Sequence, residues 1–217
     1  MNLTRIRAIV LDLDGVVYLE GAPLPGAASA IAALRSRGLA VLFVTNNATD
    51  TRSGFARHLT RLGIPCRPRE IMNAAHAAAI KLKARIPRGS RLFVFGRSGL
   101  AKELGRAGFK PFTLRTRADW EKYRCAGGAG TRAVVVAFDR SITYWSLCTA
   151  LRSLERGAEL IASNLDPSYP ARGGIMPGTG SLVRLLETAS GKRPVLIGKP
   201  SPLMFRLLLR EHGVHPR

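Results

Sequence analysis

The sequence predicts an α/β protein built on a parallel sheet, with a second α/β unit inserted into the first. Three observations carry this. Short β-branched apolar runs alternate with stretches of helical period along nearly the whole chain. Glycine and proline stand where helices stop and where strands turn. The apolar runs are continuous rather than alternating with polar residues, as strands covered on both faces require.

Arg7–Asp12 (RAIVLD) reads as the first strand, ending where polar residues and Gly15 take over. Pro25-Gly26 precedes a helix over Ala27–Arg37, which stops at Gly38. Leu39–Val44 (LAVLFV) is a second buried strand, closed by Thr45-Asn46-Asn47, and a helix over Thr51–Leu62 follows it to Gly63. The middle repeats the rhythm, with a strand at Arg91–Phe95, a helix at Leu100–Ala107 and a strand at Arg132–Phe138. A helix at Tyr144–Arg156 and a strand at Glu159–Ala162 continue it. Before the Arg132–Phe138 strand, Arg124–Thr131 (RCAGGAGT) lacks GxGxxG spacing and a following GK[ST], so it reads as a loop rather than a phosphate cradle. After Pro177-Gly178 come a helix over Ser181–Ala189, a strand at Pro194–Ile197 and a helix over Leu203–His212. The expected division is a core over residues 1–84, an insertion over 85–178 and the rest of the core over 179–217.

Composition narrows the function classes. The 217 residues are 46% hydrophobic, enough for one sizeable core or two small ones. No apolar run approaches the roughly 18 residues of a membrane span, and Asp12 interrupts the N-terminal apolar stretch too early for a signal peptide. The expectation is a protein without membrane association. Cys66, Cys125 and Cys148 form no CxxC pair and fit neither a disulfide framework nor a zinc site, which points to the reducing cytoplasm. The formal charge of +20, from 34 Lys and Arg against 14 Asp and Glu, would favour polyanions. The arginines are scattered singly and are not interleaved with aromatics, which disfavours a dedicated nucleic-acid role.

Chemistry concentrates at three strand ends. In Asp12-Leu13-Asp14-Gly15, two carboxylates two residues apart lie at the carboxyl end of the first strand, where parallel sheets bind ligands. Carboxylates this close repel unless a proton or a cation separates them. A hard ion such as Mg²⁺, which takes few protein carboxylates and several waters or phosphate oxygens, suits them. The competing reading is a solvated turn. Thr45-Asn46-Asn47 offers a hydroxyl and backbone amides to phosphate oxygens, though the same residues are ordinary turn and N-cap chemistry. Gly198-Lys199-Pro200-Ser201-Pro202 sets a positive charge beside a helix N-terminus, an anion-binding arrangement.

Together these motifs resemble the haloacid dehalogenase-like phosphohydrolases, and within them subfamily IIA, the NagD-like group with a large α/β cap. DLDGVVY, PGA at Pro25–Ala27, VTNNAT at Val44–Thr49, SNLDP at Ser163–Pro167, PGTGS at Pro177–Ser181 and GKPSP at Gly198–Pro202 occur in that group's order, and the resemblance spans essentially all 217 residues. It implies a Rossmann-like core with a cap over residues 85–178, and hydrolysis of small phosphorylated metabolites such as nucleotide, sugar or glycerol phosphates. It implies Asp12 as the nucleophile that becomes an aspartyl-phosphate and Asp14 as general acid and base. Mg²⁺ would be bound by the Asp12 carboxylate and the Asp14 main-chain carbonyl, and Thr45, Asn46, Asn47 and Lys199 would bind the phosphoryl group. Asn164 and Asp166 are candidates for shaping the substrate pocket, with turn formation before Pro167 as the competing reading. A homodimer through the cap is also implied.

One part of the pattern is missing. The group's fourth motif is an acidic cluster on a strand after GKPSP, and no aspartate follows Asp166. The expectation is therefore a core incomplete at its C-terminus, with an unpaired edge beside the Asp12 strand. The leading account is a fragment of an ordinary phosphatase that lacks the last metal-ligand motif; the others are a phosphate-ester-binding module without turnover, or a partner chain that supplies the acid.

Overall fold

The computed structural model describes residues 6–126, 130–171 and 174–214. The first strand, β1 (Ala8–Leu11), leads through a small hairpin, β2 (Tyr18–Leu19) and β3 (Ala22–Pro23), into α1 (Ala27–Ser36). Then come β4 (Ala40–Thr45), α2 (Arg52–Arg61), β5 (Ile71–Asn73) and α3 (Ala74–Lys83). The second stretch runs β6 (Arg91–Phe95), α4 (Ser98–Arg106), β7 (Lys110–Phe112), α5 (Arg117–Cys125), β8 (Thr131–Val136), α6 (Tyr144–Glu155) and β9 (Glu159–Ala162). A hairpin of β10 (Ser168–Ala171) and β11 (Gly174–Pro177) precedes α7 (Thr179–Ser190), β12 (Val195–Leu196) and α8 (Leu203–Glu211).

Among the described residues the strands form two parallel sheets and the two hairpins. One sheet has the order β1-β4-β5 and the other β12-β9-β8-β6-β7. The alternation of side chains along each strand divides the interior into layers. Val41 and Phe43 of β4 pack with Ile31, Phe55 and Leu59 of α1 and α2. Leu42 and Val44 face the other way, into a cluster with Ala78 and Leu82 of α3, Leu100 and Leu104 of α4, and Met204 and Leu208 of α8. Leu92 and Val94 of β6 enter the same cluster from the second sheet, while Phe93 and Phe95 turn to Leu154, Val183 and Leu186 of α6 and α7. The two sheets thus share a middle layer of helices and one continuous core. Phe93 is fully buried, and its ring meets Phe95 and Phe112 edge-on. Phe93→Ala is expected to cost about 3–5 kcal/mol in urea unfolding; a loss under about 1 kcal/mol would mean this face is not close-packed.

The α/β reading and the parallel strands agree with the sequence, and most expected elements lie within two residues of their observed bounds. The segment after residue 178 is divided between the layers. It gives α7 to the outer face of the five-stranded sheet, β12 to its edge and α8 to the middle layer. β12 pairs with β9 through Val195↔Ile161 and Leu196↔Ala162, and Ile197 and Gly198 extend the ladder by donating to the carbonyls of Ala162 and Ser163. β1 pairs with β4 alone, so its other edge is free among the described residues. The elements missed from sequence are short or lack punctuation: β5 has three residues and runs directly into Ala-rich α3. Of the Gly-rich stretch, Arg124 and Cys125 end α5, while Gly127–Ala129 lie outside the described residues. Among the described residues no helix is long and apolar enough to cross a membrane.

Candidate active site

The loop after β1 is wound tightly around one carbonyl. Leu13 O accepts from the N–H groups of Val16, Val17 and Tyr18, and Gly15 N–H donates to Tyr18 O at 2.8 Å. Gly15 sits at φ +77°, a left-handed conformation that glycine adopts without a Cβ penalty. This winding leaves Asp12 and Asp14 at the carboxyl end of β1. Tyr18 packs beneath them, buried and edge-on to His58 at 5.1 Å. Burial raises its phenol pKa, and the charges of Asp14 and Asp12 raise it further, so Tyr18 stays protonated.

Lys199 crosses from β12 to this loop, and its ammonium donates to Asp12 Oδ2. Asp12 Oδ1 accepts from Leu13 N–H at 2.8 Å, so both carboxylate oxygens have donors. Asn46 fixes the lysine backbone from two sides. Its Oδ1 accepts from Lys199 N–H at 2.7 Å and its Nδ2 donates to Lys199 O at 3.2 Å. A Cβ on Gly198 would lie 2.3 Å from Asn46 Oδ1 and 2.2 Å from Ser163 O, so only glycine admits this approach. The Asn46 side chain thus holds Lys199 in place.

Thr45 is the last residue of β4 and is 1% exposed. Its hydroxyl donates to Asp14 Oδ2 at 3.3 Å and accepts from Asn47 N–H at 3.0 Å. Asn47 Oδ1 closes the turn by accepting from Thr49 N–H and Oγ1 at 3.0 and 2.7 Å. Asp14 is exposed as a residue, yet its carboxylate faces Thr45 and loses part of its hydration. That desolvation raises its pKa above 3.8; hydrogen bonds from Thr45 and Asn47 pull it down, the Asp12 charge adds to the rise and Lys199 opposes it, and the net direction is up. The two neighbouring carboxylates thus have different partners, Asp12 an ammonium and Asp14 the Thr45 hydroxyl. The Asp12 and Asp14 carboxylates and the Asp14 carbonyl make an all-oxygen donor set that fits a hard divalent cation. Among the described residues no third His, Cys, Asp or Glu joins them in a metal-binding group.

Asn164 and Asp166 do turn-forming work. Asn164, buried after β9, accepts from Asp166 N–H at 3.2 Å through Oδ1. The loop leans on the start of α7, where a Cβ on Gly178 or Gly180 would strike the Asp166 or Leu165 carbonyl at 2.3 or 2.2 Å. The structure thus brings Asp12, Asp14, Thr45, Asn46, Asn47 and Lys199 into one cluster, and links the 163–166 loop to it only through Ser163 and Gly198. Sequence reasoning missed Asn73, which is fully buried opposite Thr45 in the β4–β5 register. Its Nδ2 donates to Asp50 O at 2.8 Å and its Oδ1 accepts from His76 N–H at 2.9 Å. An asparagine ending a three-residue strand gives no pattern to find.

Comparison with known proteins places this cluster in a familiar setting. Residues 9–110 match the family described as haloacid dehalogenase-like hydrolase. Glycerol-3-phosphate phosphatase of Gallus gallus is 36% identical, over 99% of this chain and 72% of the relative. Among solved structures, p-nitrophenyl phosphatase from Archaeoglobus fulgidus superposes with a TM-score of 0.82 at 30% identity, covering 95% of this chain and 74% of that one. Glycerol phosphate phosphatase from Mycobacterium tuberculosis, solved in complex with magnesium, gives 0.81 at 30% identity, covering 96% of this chain and 59% of that one.

Proposed function

The chain belongs to the haloacid dehalogenase-like hydrolases, in subfamily IIA, and is a phosphatase; from that premise we propose that it hydrolyses small phosphomonoesters through an aspartyl-phosphate on Asp12. The observation that carries the reading is the Lys199–Asp12 ion pair, held in register by the Asn46 clamp beside an Asp14 whose carboxyl pKa burial raises.

In this mechanism an Asp12 carboxylate oxygen attacks phosphorus while the bond to the ester oxygen breaks. Asp14, as the acid, gives its proton to the leaving oxygen. As the base, Asp14 then takes a proton from the water that attacks phosphorus, and the Asp12–phosphorus bond breaks to release phosphate. Lys199 would neutralise both the Asp12 carboxylate and the incoming phosphoryl oxygens, and the Thr45 hydroxyl would exchange its bond to Asp14 for one to a phosphoryl oxygen. A magnesium ion, bound by the Asp12 carboxylate and the Asp14 carbonyl, would supply charge neutralisation for the phosphoryl oxygens.

Glycerol phosphate is the first substrate to test, because the Gallus and Mycobacterium relatives are named for it. Nucleotide and sugar phosphates belong to the same class. Residues 85–178 are proposed as the cap that chooses among them, and a homodimer through this region is part of the proposal. Its support is a groove of about 570 Å³ lined by Phe138, Ile142, Tyr169 and Met176 of this region and by Leu182 and Leu185 of the adjoining α7, with Ile175 and Tyr144 exposed among the described residues. The three relatives above are each named as a phosphatase, which favours turnover over binding alone.

The direct test is hydrolysis of 4-nitrophenyl phosphate and glycerol 3-phosphate by the purified 217-residue chain. Turnover is expected with Mg²⁺ and is expected to be lost on chelation with EDTA. A folded chain that binds phosphate esters with no turnover at any Mg²⁺ concentration would sink the proposal.

A further inference from the structure

Behind the Thr45 turn lies a second polar cluster that the mechanism above does not use. It joins four helices through Arg52, the first residue of α2. The Arg52 guanidinium is 12% exposed and spends every nitrogen. Its Nε donates to Pro68 O at 2.8 Å, and its two Nη atoms hold both carboxylate oxygens of Glu211, the last residue of α8, at 3.3 and 2.8 Å. One Nη also lies 2.6 Å from His76 Nε2 in α3. Glu103 of α4, 6% exposed, accepts from the Arg52 backbone N–H at 3.1 Å, lies 3.1 Å from His76 Nδ1 and faces Arg106 at 3.6 Å. Burial pushes the Glu103 carboxyl up, but its hydrogen bonds with His76 and the Arg52 N–H outweigh this and hold it below its ordinary range.

The donor inventory fixes the state of His76. A guanidinium only donates, so His76 Nε2 must accept from Arg52, and the ring proton resides on Nδ1, where it donates to Glu103. An Nε2–H would set two donors against each other at 2.6 Å. Nε2 also lies 3.6 Å from Glu211 Oε1, beyond hydrogen-bond reach, so the bond from Arg52 selects the Nδ1–H tautomer.

Its placement bears on the site. Arg52 follows the Thr45–Thr51 turn, Glu211 ends the helix that begins four residues after Lys199, and Asn73 ties Asp50 to the start of α3. Gly99 N–H of α4 also donates to Thr49 O at 3.3 Å. We propose that Arg52, bridged by the Nδ1-protonated form of His76 to Glu103 and paired with Glu211, is a positioning residue that sets the Thr45 turn in register with Lys199. This rests on the reading of Thr45 and Lys199 as the phosphoryl-binding groups. Arg52 acts because its planar fork fixes an angle between α2 and α8 that a lysine ammonium, a point charge, cannot fix.

The test uses the whole chain and two kinds of readout. Long-range ¹H–¹⁵N spectra of the histidine ring are expected to show His76 protonated at Nδ1 and bare at Nε2 at neutral pH; the opposite tautomer overturns the inference. In Arg52→Lys, the Lys199 backbone N–H and Asn46 side-chain amide signals are expected to shift. If they stay put while the His76 ring signals move, the cluster stops short of the site and the inference fails. In turnover, Arg52→Lys is expected to lower kcat about tenfold with KM within about twofold, as for a small misplacement of reacting groups. Adding Glu211→Gln to it should lower kcat no further, since both break one pair; an additive loss or an unchanged kcat is the contrary result. Should Arg52→Lys fail to fold, Glu211→Gln carries the same three readouts from the more exposed end of the pair. A wild-type chain without turnover would remove the phosphatase reading and leave the spectroscopic tests standing.

Discussion

Asp12→Asn is expected to abolish turnover, lowering kcat by about four orders of magnitude or more, as loss of a covalent nucleophile does in other hydrolases. The amide is nearly isosteric, so the fold should survive, but it cannot form the aspartyl-phosphate. It also leaves the Lys199 ammonium without its anionic partner. Acid quench after mixing with a ³²P-labelled ester should trap label on the wild-type chain and none on the variant. Hydrolysis retained at wild-type rates, or label on another residue, would remove Asp12 from the nucleophile role.

Asp14→Asn should show the opposite balance between activity and stability. The proton donor is lost, and kcat is expected to fall by about 10²–10⁴. Stability should rise. Desolvation raises the folded-state pKa of Asp14 above its ordinary 3.8. The native state then binds this proton more tightly than the unfolded state does, so stability falls as pH rises from 3.8 through the raised value, and the loss is complete above it. Removing the carboxyl removes that loss. The variant should have the higher Tm at pH 7, and the gap should close as pH drops below 3.8, where Asp14 is protonated in both states. Melting curves at pH 7 and pH 3 check this; a variant less stable at pH 7 would mean that the Thr45 and Asn47 hydrogen bonds outweigh the desolvation.

The legible part of the fold was the part written in local pattern. β6 and β9 fall on their expected residues, and α1, α2, α6 and α8 end at or within a residue of theirs, because continuous apolar runs and terminal glycines are properties of neighbours in sequence. The hairpins, β5, β7 and α5 were not legible. Two- and three-residue strands are held by ladder partners such as Phe43↔Ile71 and Phe93↔Phe112, which pattern does not reveal. The place of β12 was also out of reach from pattern: a two-residue apolar strand does not specify its ladder partner, and the Ile197 and Gly198 bonds to Ala162 and Ser163 join it to β9.

For the candidate site the division is similar. The sequence by itself determined the α/β class, the carboxylate pair Asp12/Asp14, the Thr45-Asn46-Asn47 turn and Lys199, because each lies at the end of an apolar run with a residue type its chemistry requires. Tertiary structure alone decided what each group does there. It bonded the Asn46 side chain to the Lys199 backbone, and set Thr45 on Asp14 rather than in open solvent. It gave Asn164 and Asp166 to a turn, and gathered Arg52, His76, Glu103 and Glu211 from four helices into one cluster. The physical reason is that residue type fixes which bonds a side chain can make, whereas pKa, tautomer and partner depend on charges and burial contributed by residues up to 187 positions away, as Lys199 is from Asp12.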